Sequence, residues 1–550
     1  MNKNLFNLII KNTFVGGLLI LTQTSQGQNF TQADTLRGSL TSPFRTCYDI
    51  NYYHLDIKVA IDKKFISGSN QFNFTANTRF KTLQFDLFAN MHINKVVYNN
   101  AIIPFTRVHN AVFITFPDSI KAYSKQQFTV YYSGNPTLAK NAPWEGGFVF
   151  SSHNNGNPWV ATACQGIGAS LWWPNKDQQA DEVDSMLISL SVANNLMAVS
   201  NGKLRNTTIL NDNHTQYNWF VANPINNYGV ALNIANYAKI SESYHGINGA
   251  LGVDFYVLPQ NVEKAKTHLT KNVKQMLEAF EYWFGPYPFY TDGYKMVETP
   301  FLGMEHQSCV AYGNNYLNGY ASTDLSHSGW GLKWDFIAVH ESGHEWWGNN
   351  ITAKDIADMW IHESFTNYSE GLFTEYWYGK PAGKAYILGL RKNIRNDKPI
   401  IGTYGVNNQG SADMYYKGAN MLHTIRTIIN NDNTWKTILK GLNTQFAKQT
   451  VTTQQIIHYI NTLAKYDFTP VFNQYLMHNN IPVLQYKIHN GLLFYRYKAD
   501  VKSFNMPIEI VFNGIHKKLY PTLKIKKIPV NKKVTSIQLS DNYYVVLGKM

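Results

Sequence analysis

The sequence predicts a multidomain α+β protein, and three changes of pattern along the chain carry that prediction. From about Asn51 to Ile240, short runs alternate between apolar and polar residues. Near Val262 the apolar residues switch to helical spacing, and near Asn479 the alternation returns. At 550 residues the chain is too long for one ordinary core, since about 150 residues per domain is usual. A hydrophobic fraction of 44%, with 14% aromatic and only 15% charged residues, excludes a disordered chain. The expected division is a leader over residues 1–27, an all-β domain over 28–250, a mixed α/β domain over 251–480 and a small β domain over 481–550.

Lys3 and Lys11 precede an apolar run from Phe14 to Leu21, and Ser25-Gln26-Gly27 supplies small residues before Gln28. This pattern predicts a secretory signal peptide and an exported protein, periplasmic or secreted. The apolar run is too short to span a bilayer, and no later stretch reaches that length, so no integral span is expected in the mature chain. Removing the two leader lysines takes the formal charge from +13 to +11. Much of the excess lies at Lys517, Lys518, Lys524, Lys526, Lys527, Lys532 and Lys533, interspersed with apolar residues. That arrangement reads as solvated strand faces with lysines guarding a sheet edge, and a nucleic-acid partner is not expected. Cys47, Cys164 and Cys309 are too few for a disulfide framework and are expected to pack in cores.

In the first domain, Tyr53 to Val59 and Gln71 to Phe74 show the strand alternation. Cys164 to Pro174 is too rich in glycine for a strong strand and reads as a loop presenting Gln165. The second domain starts with Val262, Ala265, Leu269, Val273, Met276, Leu277 and Phe280 on one helix face, stopped by Gly285-Pro286-Tyr287-Pro288. A strand-like segment follows over Met296 to His306, and a later helix is expected to end at Gly379 with Pro381 behind it. Another helical run covers Ala419 to Ile429, and strands over Val483 to Ile488 and Leu492 to Tyr497 open the last domain.

The stretch from His340 to Glu363 carries the chemistry. His340 and His344 stand four apart, one helical turn, so both imidazoles can face one metal ion. Glu341 sits beside the first of them, where its carboxylate can reach a metal-activated water without joining the ligands. Glu363, with eighteen residues between it and His344, can complete a His2Glu set with one position left open, which is the donor set of a catalytic zinc site. One Zn2+ per chain is expected.

These residues resemble the aminopeptidase N-like zinc metallopeptidase family, the gluzincin aminopeptidases, over almost the whole mature chain. Besides the zinc signature and the Trp347-Gly348-Asn349 behind it, Gly303-Met304-Glu305 is similar to the family's Gly-x-Met-Glu-Asn motif, whose glutamate binds the substrate's α-amine. Leu302 and His306 depart from that motif. Tyr415-x-Lys417-Gly418 is similar to the segment bearing the family's catalytic tyrosine, Tyr416 being the neighbouring alternative. Gln165 matches a substrate-binding glutamine or glutamate, and Gly285 to Pro288 the turn before the active-site sheet.

The resemblance implies a saddle-like N-terminal β domain, a thermolysin-like catalytic domain and a C-terminal β-sandwich-like domain, whereas the C-terminal helical domain that many members of the family carry is not expected here. It implies a zinc aminopeptidase acting on peptides with a free N-terminus. In that reading Glu341 and Tyr415 are catalytic, Glu305, Gln165, Gly303 and Met304 bind substrate, and His340, His344 and Glu363 hold the metal. Two alternatives remain, a zinc endopeptidase of thermolysin type and a catalytically weak peptide-binding protein.

Overall fold

A computed structural model of the chain describes residues 29–154 and 156–550, so the expected leader lies outside the described residues. Strand Tyr48–Ala60 alternates as the sequence predicts, burying Tyr53, Leu55, Ile57 and Val59. It turns back through Ile61–Lys63 into strand Phe65–Ala76, with Val59 opposite Ile66. On its other side it runs parallel to Ser185–Ala193, placing Leu55 beside Ile188. These strands form the middle of an eight-stranded sheet, and sheets of three and four strands pack with it around one apolar core.

The second body is built on a five-stranded sheet, in the order Ala238–Gly246, Gly249–Val257, Tyr294–Glu298, Val310–Tyr312, Gly303–Met304. The expected division at residue 250 therefore falls inside a hairpin that belongs wholly to this sheet, Gly249–Val257 pairing in parallel with Tyr294–Glu298. A half-exposed strand alternates in the same way whichever sheet it joins, so the pattern does not reveal this allegiance.

Successive side chains of a strand point to opposite faces, and here the two faces belong to two cores. Tyr294, Met296, Val310 and Tyr312 enter the core beneath the helices, whereas Val297, Met304 and Ala311 enter the core of the first domain. All five residues of Tyr294–Glu298 are consequently buried.

The helix Val262–Phe284 packs Ala265, Leu269, Val273, Met276, Leu277 and Phe280 inward and ends at Gly285, whose φ of 92° favours glycine. Helices Phe336–Gly343, Trp360–Tyr378 and Tyr416–Ile429 lie in the same core. From Val483 onward the chain forms a four-stranded and a three-stranded sheet whose Leu484, Leu493, Ile508 and Ile510 continue that core without a break. Among the described residues no helix is long and apolar enough to cross a membrane. The three cysteines are buried free thiols.

Candidate active site

The helix Phe336–Gly343 is anchored at its start by Asp335, whose side chain accepts from the Ala338 amide at 3.1 Å. Such a cap stabilises a helix by about 1 kcal/mol. The same carboxylate accepts from Tyr312 at 2.7 Å and Asn314 at 2.9 Å and meets His268 at 2.8 Å. His340 lies inside this helix. His344 follows its last residue but keeps helical backbone angles, so the one-turn spacing survives. The chain then breaks at Trp347 and Gly348, where φ reaches 138°. That break aims the Trp347 carbonyl back at His344.

Each imidazole is held by its Nδ1. His340 Nδ1 meets Glu370 Oε1 at 2.6 Å, and His344 Nδ1 donates to the Trp347 carbonyl at 2.9 Å. Thr366 Oγ1 adds a contact to His344 Nδ1 at 3.1 Å. Acceptors at Nδ1 fix the tautomer and leave both Nε2 lone pairs pointing at the third ligand position. Glu363 fills it from the helix Trp360–Tyr378, its Oε2 lying 3.8 Å from His340 Nε2 and 3.5 Å from His344 Nε2. That oxygen is buried and has no hydrogen-bond partner. Three donor atoms within 4.8 Å of one another, one an orphaned carboxylate oxygen, are the arrangement a tetrahedral cation needs.

Glu370 was not legible as a site residue, although it follows Glu363 by two helical turns on the same face. Its carboxylate also accepts from Tyr386 at 2.7 Å and Asn367 at 2.8 Å, so it is fully committed to holding His340. Burial alone would pull the His340 pKa down, but the bond to Glu370 and its charge push it up to about 9.

Glu305 follows the strand Gly303–Met304 and is 3% exposed. Gln165, from the loop of the first domain, donates Nε2 to Glu305 Oε1 at 2.5 Å and to Glu363 Oε1 at 3.3 Å. Asn349 donates to the Glu305 carbonyl at 3.0 Å. Tyr228, also from the first domain and also missed in the sequence, lies 3.5 Å from His362 Nδ1, and burial, then the charge of Glu305, hold its hydroxyl pKa well above the ordinary tyrosine value. Burial, then the charges of Glu363 and Glu341, hold the Glu305 carboxyl well above the usual carboxylate range. Burial likewise pushes Glu341 up to about 7. Four carboxylates thus crowd two imidazoles, and a bound dication would offset part of that excess.

Gly303 is required by its closeness to Glu341, since a Cβ there would stand 2.7 Å from Glu341 Oε1. Met304 is buried in the first domain's core. His306 is fully buried with both ring nitrogens unpartnered, and burial pushes its pKa down to about 3. Leu302, by contrast, lines the cleft.

Tyr415 precedes the helix Tyr416–Ile429 with non-helical angles that turn its ring over His340, centroids 6.1 Å apart. Burial, then the charge of Glu363, hold its hydroxyl pKa well above the ordinary tyrosine value. The helix approaches closely because Gly418 has no side chain, a Cβ there falling 1.8 Å from Ser364 Oγ. Tyr416 lines the same cleft, its ring centroid 6.4 Å from that of Tyr415. His340, Glu341, His344, Glu363, Glu305, Gln165 and Tyr415 open onto a cleft of about 1200 Å³ between the two domains.

Residues 49–228 match the Peptidase M1 N-terminal domain and residues 268–475 match the Peptidase family M1 domain. The chain belongs to peptidase family M1. It is 22% identical to endoplasmic reticulum aminopeptidase 1 of Rattus norvegicus over 303 residues, 53% of this chain and 32% of that protein. It is 21% identical to aminopeptidase B of Mus musculus over 256 residues, 44% of this chain and 36% of the relative. The chain thus matches about a third of the length of these M1 relatives. The M1 zinc metallopeptidase of Deinococcus radiodurans superposes with a TM-score of 0.67 at 17% identity, covering 81% of this chain and 98% of that one. A mutant of that peptidase bound to a Tyr-Ser-Ala substrate gives 0.65 at 17% identity, over 79% and 95% of the two chains. At that identity the likeness is one of fold.

Proposed function

We propose that this M1 protein is a zinc-dependent aminopeptidase that removes the N-terminal residue from peptides. The observation that carries the reading is the buried Glu305, whose carboxylate lies within 4.8 Å of donor atoms of Glu341 and His344 and accepts from Gln165. A buried carboxylate lacking a cation is costly, and the α-ammonium of a peptide is the cation that fits a closed end beside the metal ligands. His340, His344 and Glu363 hold the zinc, which when bound supplies the Lewis acidity that polarises the scissile carbonyl and acidifies water.

The chain's own groups do the rest. Glu305 and Gln165 fix the ammonium, so the first peptide bond alone lies against the ligands. Glu341 accepts the proton of the attacking water and returns it to the leaving nitrogen, a task suited to a carboxyl whose pKa burial has raised to about 7. The Tyr415 hydroxyl donates to the carbonyl oxygen as negative charge grows there. Glu370 and the Trp347 carbonyl keep the imidazoles in one tautomer throughout. The leader pattern over residues 1–27 supports a site of action outside the cytoplasm, on exported or extracellular peptides.

The test is hydrolysis of aminoacyl-naphthylamides and of their N-acetylated forms, with and without chelator. Chelator should abolish turnover and zinc should restore it, with blocked substrates inert. Glu305→Ala should lower activity on free substrates far more than on any residual blocked one. Comparable turnover of blocked peptides by the wild type would point to an endopeptidase instead.

A further inference from the structure

The C-terminal sheets carry a feature that the cleft chemistry does not use. Residues 481–550 hold eleven lysines and Arg496 against Asp500, Glu509 and Asp541. From Ile510 to Ser540, a run of 31 residues, there is no acidic residue at all, and the seven lysines of that run are all exposed. None of the seven has a carboxylate within 4 Å among the described residues. Some lysines elsewhere on the chain are paired, as Lys380 is with Asp432 and Lys384 with Asp541.

The run is also placed for contact. Strand Ile515–Leu519 is the edge of the three-stranded sheet, and strand Lys526–Pro529 is the edge of the four-stranded one. The loop between them is pinned by the Tyr497 amide donating to the Thr522 carbonyl at 2.8 Å and by Lys526 Nζ donating to the Tyr520 carbonyl at 2.6 Å. Two sheet edges and their link thus form one continuous ledge. Ile515, Tyr520 and Ile525 stand on it 57%, 58% and 58% exposed, alternating with Lys517, Lys518, Lys524, Lys526 and Lys527.

We propose that this ledge docks the protein onto a membrane surface rich in anionic phospholipid. Lysines near such a surface each strengthen binding by on the order of fivefold, and their effect sums over a cluster of this size. Isoleucine and tyrosine side chains held between them are suited to the boundary of headgroup and acyl chain, where the lysine stems run up to the phosphates. The all-lysine composition favours diffuse phosphate recognition over nucleic acid, where the bidentate guanidinium of arginine is the preferred donor. Guarding a sheet edge accounts for some lysines, but it does not account for exposed isoleucines beside them.

Flotation of the full chain with phosphatidylglycerol–phosphatidylcholine vesicles, compared with pure phosphatidylcholine vesicles, tests this. Binding should require the anionic lipid and weaken as salt rises. The combined variant Lys517→Gln, Lys518→Gln, Lys524→Gln and Lys527→Gln should lose at least about a hundredfold in partitioning while keeping its cooperative thermal transition. The pair Ile515→Ser and Ile525→Ser keeps all the charge, so it should still respond to anionic lipid but detach at lower salt than wild type. The pair stands in if the lysine variant fails to fold. Equal binding to both vesicle types, or binding unchanged by the lysine substitutions, would overturn the proposal. So would tighter retention on duplex DNA than on vesicles, which would make the ledge a nucleic-acid surface. Aggregation of the lysine variant with lipid binding intact would show that the lysines only guard the edge.

Discussion

Around His340 and His344 four largely buried carboxylates crowd together at the cleft, whereas along Ile515–Pro529 lysines crowd onto strands open to solvent. The difference lies in the medium more than in the count of charges. Two unit charges 4 Å apart interact by about 1 kcal/mol in water but about 4 kcal/mol at the effective dielectric of a protein surface region, and exposed charges are further screened by salt. In the cleft, every carboxylate therefore perturbs its neighbours, and its exact partner decides what it does. On the ledge, no single lysine matters much and only their sum has a consequence. Substitutions should expose this contrast as a graded series.

The largest effect is expected at Glu341. Glu341→Gln should retain bound zinc by metal analysis yet lose turnover by roughly 10²–10⁴-fold, because an amide cannot take the proton. Turnover within tenfold of wild type would remove Glu341 from the mechanism. Tyr415→Phe comes next, with kcat expected to drop by about 3 kcal/mol, roughly 150-fold, and KM little changed. Tyr416→Phe serves as its control, and a crippled Tyr416→Phe with a normal Tyr415→Phe would exchange the two roles.

Glu370→Gln should act more mildly, weakening zinc affinity by about 10–100-fold in competition with a chelator, since it only loosens the hold on His340. Unchanged affinity would mean that His340 is oriented by its packing alone. At the far end, Lys532→Gln and Lys533→Gln should each shift stability by no more than about 0.5 kcal/mol in denaturant titration and leave activity alone. A change above about 2 kcal/mol would show that the exposed edge is coupled to the core, and the contrast between the two regions would fail.

The parts of the site that were legible in the sequence are those set by local geometry. His340, Glu341 and His344 are neighbours on one helical run, whereas Tyr415 stands out only through the resemblance of Tyr415-x-Lys417-Gly418 to a family motif, and its ring lies over His340. The switch to helical spacing at Val262 likewise matches a helix that begins at Val262. What escaped were partners chosen by the fold. Glu370 reads as any glutamate on a helix until Tyr386 and His340 close on it. Tyr228 lies in a segment of the first domain with nothing nearby in the chain to mark it. The hairpin Ala238–Gly246 and Gly249–Val257 alternates as the first domain's strands do, and only its pairing with Tyr294–Glu298 assigns it to the second. The turn that sends the Trp347 carbonyl to His344 depends on angles at Trp347 and Gly348 that no periodicity announces.

The central sheet divides its side chains between two cores, and that has a consequence for when the protein becomes competent. Gln165 and Tyr228 come from one side of this partition and Glu305 from the other. Before the two bodies dock, Glu305 faces water, is well solvated, and has no reason to prefer an ammonium over the solvent. Tyr415 arrives later still, more than a hundred residues along the chain from Glu305. On the function proposed above, a chain whose two bodies have not docked has His340 and His344 on one helical run but not yet Gln165 beside Glu305.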